Sequence, residues 1–340
     1  MKMIEGKCGI YANVVCDSIC NHSGIRITTL ELQYPRIVHS EFMTHRMFSR
    51  NAASSRAIPF NKMVEQLTGC PVRFGANQSG MQDAGDHDAF VEGDHDAFLE
   101  GDYYYNYEPE DAWDKAKKDA IKWSERFHRA GYHKQVVNRL TEPFQMIKVV
   151  CTATEWHNFL WLRDHDAADP TIAELAKCIH LALQGSTPVA LKAGEWHLPY
   201  IELVKNTDST VPPLYYMNDG DIGTTGFLSI EDAIKVSSAR CAAVSFRNVD
   251  YGLEKSREIH EKLIGADRKH ASAFEHQATP MQIENDGYTH DKSVNIPDDS
   301  STWEPGVSHM DRDGWLWSGN FRGFIQHRKL IHGENFNGGY

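Results

Sequence analysis

"THRMFSRNAASSRA", residues 44–57, gathers a histidine, three arginines, an asparagine and four hydroxyls into fourteen positions without one acid. Guanidinium forks and small donors at that density suit an anionic ligand. The rest of the chain is acidic: 47 Asp and Glu against 35 Lys and Arg give a formal net charge of −12. General affinity for nucleic acid or an anionic membrane is therefore not expected. A small anion in a pocket fits the contrast better than a long polyanion.

Upstream, "GIRITTLELQYPR" (24–36) alternates apolar and polar residues and predicts a strand, with Ile25, Ile27, Leu30 and Leu32 as its apolar set. Pro35 suits the first turn of a following helix. "RIVHSEFMTHR" reads as that helix, with Val38, Glu41 and His45 on one face. The basic motif would then begin at a helix end and run into a loop.

Downstream, residues 75–111 read as an acidic loop insertion carrying a tandem duplication, "GDHDAFVE" followed by "GDHDAFLE". Eight residues are too few for a solenoid unit, so a solvated loop is the first reading and a metal site the rival. Helix is predicted over 110–131, with Trp113, Ala116, Ala120, Trp123 and Phe127 as a core stripe and Gly131 as the stop. "TEWHNFLWLRDHD" (154–166) reads as another helix, in which Trp156, Phe159, Leu160 and Arg163 share a face. An arginine ending an apolar stripe needs an anion, either an internal carboxylate or a bound ligand. Helices are also expected at 229–246 and 252–264, and a polar loop at 280–312. No linker or composition break divides the chain, so a single domain over 1–340 is expected.

Seven cysteines, an odd number, follow an opening "MKMIEGKCGIYA" that lacks a sustained apolar run. Reduced thiols in a cytoplasmic protein are the expectation. No stretch approaches the ~18 uninterrupted apolar residues of a membrane span.

The spacing within 44–57 resembles the signature of flavin-dependent thymidylate synthases. That signature runs Arg-His-Arg, two residues, Ser, one residue, Asn-Glu, one residue, Ser, one residue, Arg. Here it stands as Thr44, His45, Arg46, Ser49, Asn51, Ala52, Ser54 and Arg56, with Thr44 and Ala52 as the departures. Two further blocks carry the resemblance. "NRLTEPF…EWHNFLWLR" (138–163) is similar to the family's Asn-Phe-Leu helix ending in Arg. "SARCAAVSF…HASAFEH" (238–276) is similar to its Gly-His-x-(Ser/Thr)-Pro-Phe-Glu-His block, with Ala273 in place of the Pro. The last block usually comes first in the family, so the order here is permuted.

The resemblance implies an α+β fold, a mixed β-sheet flanked by helices, assembled as a homotetramer with active sites shared between subunits. It implies reductive methylation of dUMP to dTMP with FAD as cofactor and NADPH and methylenetetrahydrofolate as co-substrates. His45, Arg46, Ser49, Asn51, Asn158, His270 and Ser272 are implied to contact FAD. Ser54, Arg56, Arg139 and Arg163 are implied to contact the nucleotide, with Arg163, His45 and Ser54 nearest the chemistry. No metal and no cysteine nucleophile is implied. Three alternatives stay open: a flavin and folate enzyme that hydroxymethylates a pyrimidine nucleotide, a nucleotide-binding homologue without catalysis, and metal-dependent hydrolysis through the GDHD repeat.

Overall fold

A computed structural model describes residues 3–80, 82–95, 104–206, 208, 211–217, 226–244, 252–265, 269–282 and 300–335. Mixed α and β structure is built around a six-stranded sheet. Its centre is the long hairpin Tyr11–Cys20 and Arg26–Pro35, extended by Met146–Ala153 and then by the short edge strand Ser49–Ala52, all antiparallel. Ile4–Glu5 and Val189–Leu191 pair with opposite ends of Tyr11–Cys20, the latter in parallel.

Alternation along Arg26–Pro35 divides its apolar residues between two packing regions. Leu30, Leu32 and Tyr34 face the main core, whereas Ile25 and Ile27 join Phe321, Phe324 and Trp317 in a second cluster. The four residues expected as one apolar set thus serve both faces, because a strand changes face at every residue. Pro35 ends the strand rather than opening the helix; a 3₁₀ turn, Arg36–Val38, intervenes before the helix His39–Thr44.

The first face is covered by the helix Pro170–Gln184, which sends Ile172, Leu175, Ala176 and Ile179 into the core. Its start is fixed by Asp169, whose carboxylate accepts from the N–H groups of Thr171 and Ile172, and by Pro170 at the first turn. Trp156 and Phe159 of the segment leading through the helix His157–Arg163 join the same core against Phe42 and Phe48. The second face is polar at its centre. Helix Ile230–Ala243, capped by Ser229, lies over it with Cys241 packed on Val150.

Helix Pro109–Arg129 appears where a helix was expected, but Trp123 is 56% exposed and stacks under Arg126. Only Trp113, Ala120 and Ile121 of this helix pack on the small cluster around Ile58 and Met63. Within the expected acidic loop, Val91–His95 and Tyr104–Tyr107 pair as a two-stranded hairpin, and residues 96–103 lie outside the described residues. Half of the second GDHDAF copy falls there, and 283–299 of the expected polar loop also lies outside the described residues. No helix among the described residues is long and apolar enough to cross a membrane. All seven cysteines are free thiols.

Candidate functional site

The basic motif begins at the end of the helix His39–Thr44 and runs through turns, as expected, but Ser49–Ala52 within it is a strand. Ser49–Ala52 pairs with Met146–Ala153, setting Ser49 opposite Thr152 and Asn51 opposite Val150. Alternation therefore sends Ser49 and Asn51 to the polar second face and Arg50 to the first. There the Arg50 guanidinium donates to the carbonyls of Phe42 (2.9 Å) and His45 (3.0 Å), stitching the strand to the preceding helix. Beyond Ala52 the chain turns, with Ala57 N–H bonded to the Ser54 carbonyl. Fully buried Asn138 fixes this turn from below, donating to the carbonyls of Ser55 (2.7 Å) and Ile58 (2.9 Å).

Opposite the turn stands the 3₁₀ segment Ala271–Glu275. Ala271, Ala273 and Phe274 are buried, which leaves His270 and Ser272 facing outward. Between the two walls lies a cleft of about 480 Å³, within the range of small-molecule sites. Its polar lining is Asn51, Ser54, Arg56, Gln135, His270 and Ser272, and its apolar floor includes Ala242, Leu263 and Ala273. No carboxylate lines it among the described residues. Amides, hydroxyls, an imidazole and a guanidinium without a competing acid form a donor set for an anion.

Five of the residues singled out from sequence thus meet in one cleft: Asn51, Ser54, Arg56, His270 and Ser272. The others are placed elsewhere. Ser49 is 1% exposed, and its hydroxyl donates to Asn320 Oδ1 (3.0 Å) while accepting from Gln326 Nε2 (3.1 Å). Arg46 lines an adjoining hollow of about 290 Å³ with Glu275, Asn320, Gln326 and Arg328. His45 and Arg163 belong to the first face: Arg163 Nε donates to His45 Nε2 at 3.4 Å, and its Nη1 lies 3.4 Å from Glu41 Oε2. The His45 ring meets Phe159 edge-on at 4.9 Å, and burial, then Arg163 and Arg50, push its pKa down. Asn158 and Arg139 are exposed and line neither hollow.

Gln135 and Asn320 are not singled out from the sequence, which leaves open whether Gln326, with Trp196, His197, Arg322 and Arg328, enters the site. Gln135 sits on the one-turn helix Lys134–Val137, which is too short to carry a periodic signal. Asn320 and Gln326 belong to the closing "SGNFRGFIQHRKL", where amides recur among aromatics.

A larger hollow of about 630 Å³ lies away from this cleft, lined by Arg73, Asp83, Asp86, Asp164, Asp166 and Glu174 among others. Arg73 pairs with both Asp83 and Asp86, and the lining acids outnumber the cations Lys7, Arg73 and Lys177. That balance does not suit an anion.

Neither a family model nor a curated protein matches the chain. Among solved structures, it is similar to a UMP/dUMP methylase PolB from Streptomyces cacaoi bound with 5-Br UMP. The match has a TM-score of 0.34 and 16% identity, over 53% of this chain and 91% of that one.

Proposed function

We propose that the chain is an FAD-dependent enzyme of the thymidylate synthase type, methylating dUMP with methylenetetrahydrofolate as carbon donor and NADPH as reductant. The observation that carries this reading is the acid-free cleft itself. Segments from opposite ends of the sequence, 51–56 and 270–272, supply its two walls. Those are the segments whose spacing resembles the family signature, and the fold juxtaposes them although their order is permuted.

The donor set fits both anions. Arg56 and Ser54 present a guanidinium and a hydroxyl to the nucleotide phosphate; Asn51 beside them, and His270 and Ser272 from the other wall, present donors to the flavin. FAD, when bound, supplies the redox chemistry. The chain's own residues hold the pyrimidine beside it, keep the phosphate neutralised and contribute fixed dipoles in place of water.

Arg163 and His45 enter this reading from a second copy. They lie on the first face, beside a surface that includes Met43, Met47, Leu162 and 76%-exposed Trp161. A homotetramer with shared sites would bury such apolar side chains and carry the Arg163 guanidinium to a neighbour's cleft.

The test is the visible spectrum of the purified full chain, followed by product analysis. Flavin absorption, and dTMP formed from dUMP, methylenetetrahydrofolate and NADPH, are expected. A colourless protein with no saturable FAD binding would overturn the flavin reading, and a hydroxymethyl group at C5 would replace methylation by hydroxymethylation.

A further inference from the structure

Gln326 lies at the end of the strand Phe324–Gln326, which pairs with Ala278–Pro280, and is 2% exposed. Its amide nitrogen lies within hydrogen-bond distance of three acceptors: Ser49 Oγ (3.1 Å), the Glu275 carbonyl (3.2 Å) and Asn320 Oδ1 (3.0 Å). Ser49 begins the strand that carries Asn51 to one wall of the cleft. Glu275 ends the 3₁₀ segment that carries Ser272 to the other. Asn320 reinforces the first link by donating to the Met47 carbonyl at 3.1 Å, and Arg328 reinforces the second through its ion pair with Glu275. The backbone leaves room for this amide at Gly319: φ there is +61°, and a Cβ would stand 2.7 Å from Gln326 Oε1.

We infer that Gln326 is a positioning residue, one buried amide that holds the two walls of the cleft at their working separation. It touches neither wall's ligand-facing side chains. It acts through Ser49 and the Glu275 backbone, so it sets where Asn51, His270 and Ser272 stand relative to each other. Its effect on ligand affinity rests on the nucleotide reading above; its effect on the walls does not.

The experiment uses the full chain with Gln326→Met, which keeps length and loses the amide, and Gln326→Glu, which keeps shape. Amide hydrogen exchange, melting temperature and titrations with dUMP and with FAD are read on the same preparations. Exchange is expected to rise in 48–57 and in 269–276 together, with the helix Pro170–Gln184 unchanged. Affinity for dUMP is expected to fall by about fivefold to tenfold, the scale of one hydrogen bond. Ser49→Ala combined with Gln326→Met should cost less than the sum of the two single changes, since both remove the Ser49–Gln326 link and only the Ser49–Asn320 bond is lost in addition. Faster exchange in one wall only, in neither, or evenly through the molecule overturns the inference. A parent chain that binds neither dUMP nor FAD ends the nucleotide reading, while the exchange pattern still decides the bridge. If Gln326→Met does not fold, Gln326→Glu and Ser49→Ala decide by the same paired pattern.

Discussion

Arg163 faces Glu41 across 3.4 Å, and the same guanidinium donates to His45 Nε2 at 3.4 Å. The arginine at the end of the Trp156, Phe159, Leu160 stripe therefore has an internal acid within reach. The pair is only partly shielded, with the Arg163 side chain 26% and the Glu41 side chain 41% exposed, so the ion pair itself is weak. A phosphate or a polarised pyrimidine carbonyl can compete for such a guanidinium.

Arg163→Lys separates the two partners. It keeps the charge but loses the planar fork. If Arg163 serves the nucleotide, dUMP affinity or turnover should fall by about 1.5–3 kcal/mol while FAD content stays intact. A lowered melting temperature with unchanged dUMP affinity would leave Arg163 as the partner of Glu41 alone.

Acid should weaken the fold through its buried histidines. His197 Nε2 lies 2.8 Å from Thr29 Oγ1, Thr29 Oγ1 2.7 Å from Thr152 Oγ1, and Thr152 Oγ1 2.8 Å from His276 Nδ1. This polar ladder crosses the second face of the sheet entirely out of solvent. Burial pushes both imidazoles from 6.5 down to about 3, with His197 adding to the effect on His276. The unfolded chain takes up these protons near pH 6.5 and the folded one near pH 3. Their contribution is therefore full above pH 6.5 and is lost as pH falls from 6.5 toward 3. Denaturant unfolding at stepped pH should show this loss, and His276→Gln should make the slope shallower. An identical slope in the variant would contradict it.

The duplication should be dispensable. Removing residues 93–100 leaves one GDHDAF copy, including the Asp86 that meets Arg73. Flavin affinity and turnover should stay near the parent values, since this hairpin lies outside the cleft lining. Metal-dependent activity that disappears with the deletion would instead make the repeat a functional site.

The sequence disclosed those parts of the fold whose order is local. Arg26–Pro35 was legible because it alternates, and Pro109–Arg129 because its apolar residues recur at helical spacing and Gly131 follows; Pro170–Gln184, the helix that covers the first face, was not read. Ser49–Ala52 was not legible as a strand. Ser, Arg, Asn and Ala have little intrinsic preference for it, and the pairing comes from Met146–Ala153 nearly a hundred residues away. The hairpin Val91–His95 with Tyr104–Tyr107 was hidden for a related reason, its acidic composition reading as loop. In the site, the family resemblance implied Asn51, Ser54, Arg56, His270 and Ser272 before any geometry. Asn320 stayed hidden, and Gln326 stayed open without a role, because a lone buried amide has no local pattern; only the packing of the closing strands against Ser49 places them.

The most direct measurement is calorimetric titration of the full chain with dUMP, run beside Arg56→Ala at the same pH and salt. Arg56 is exposed at the rim of the cleft and supplies its guanidinium, so its removal should spare the fold. Saturable binding by the parent is expected, weakened by about tenfold to a hundredfold in Arg56→Ala, the loss of a charge-assisted contact. No saturable dUMP binding by the parent, or equal affinity in both proteins, would contradict a nucleotide phosphate at this cleft.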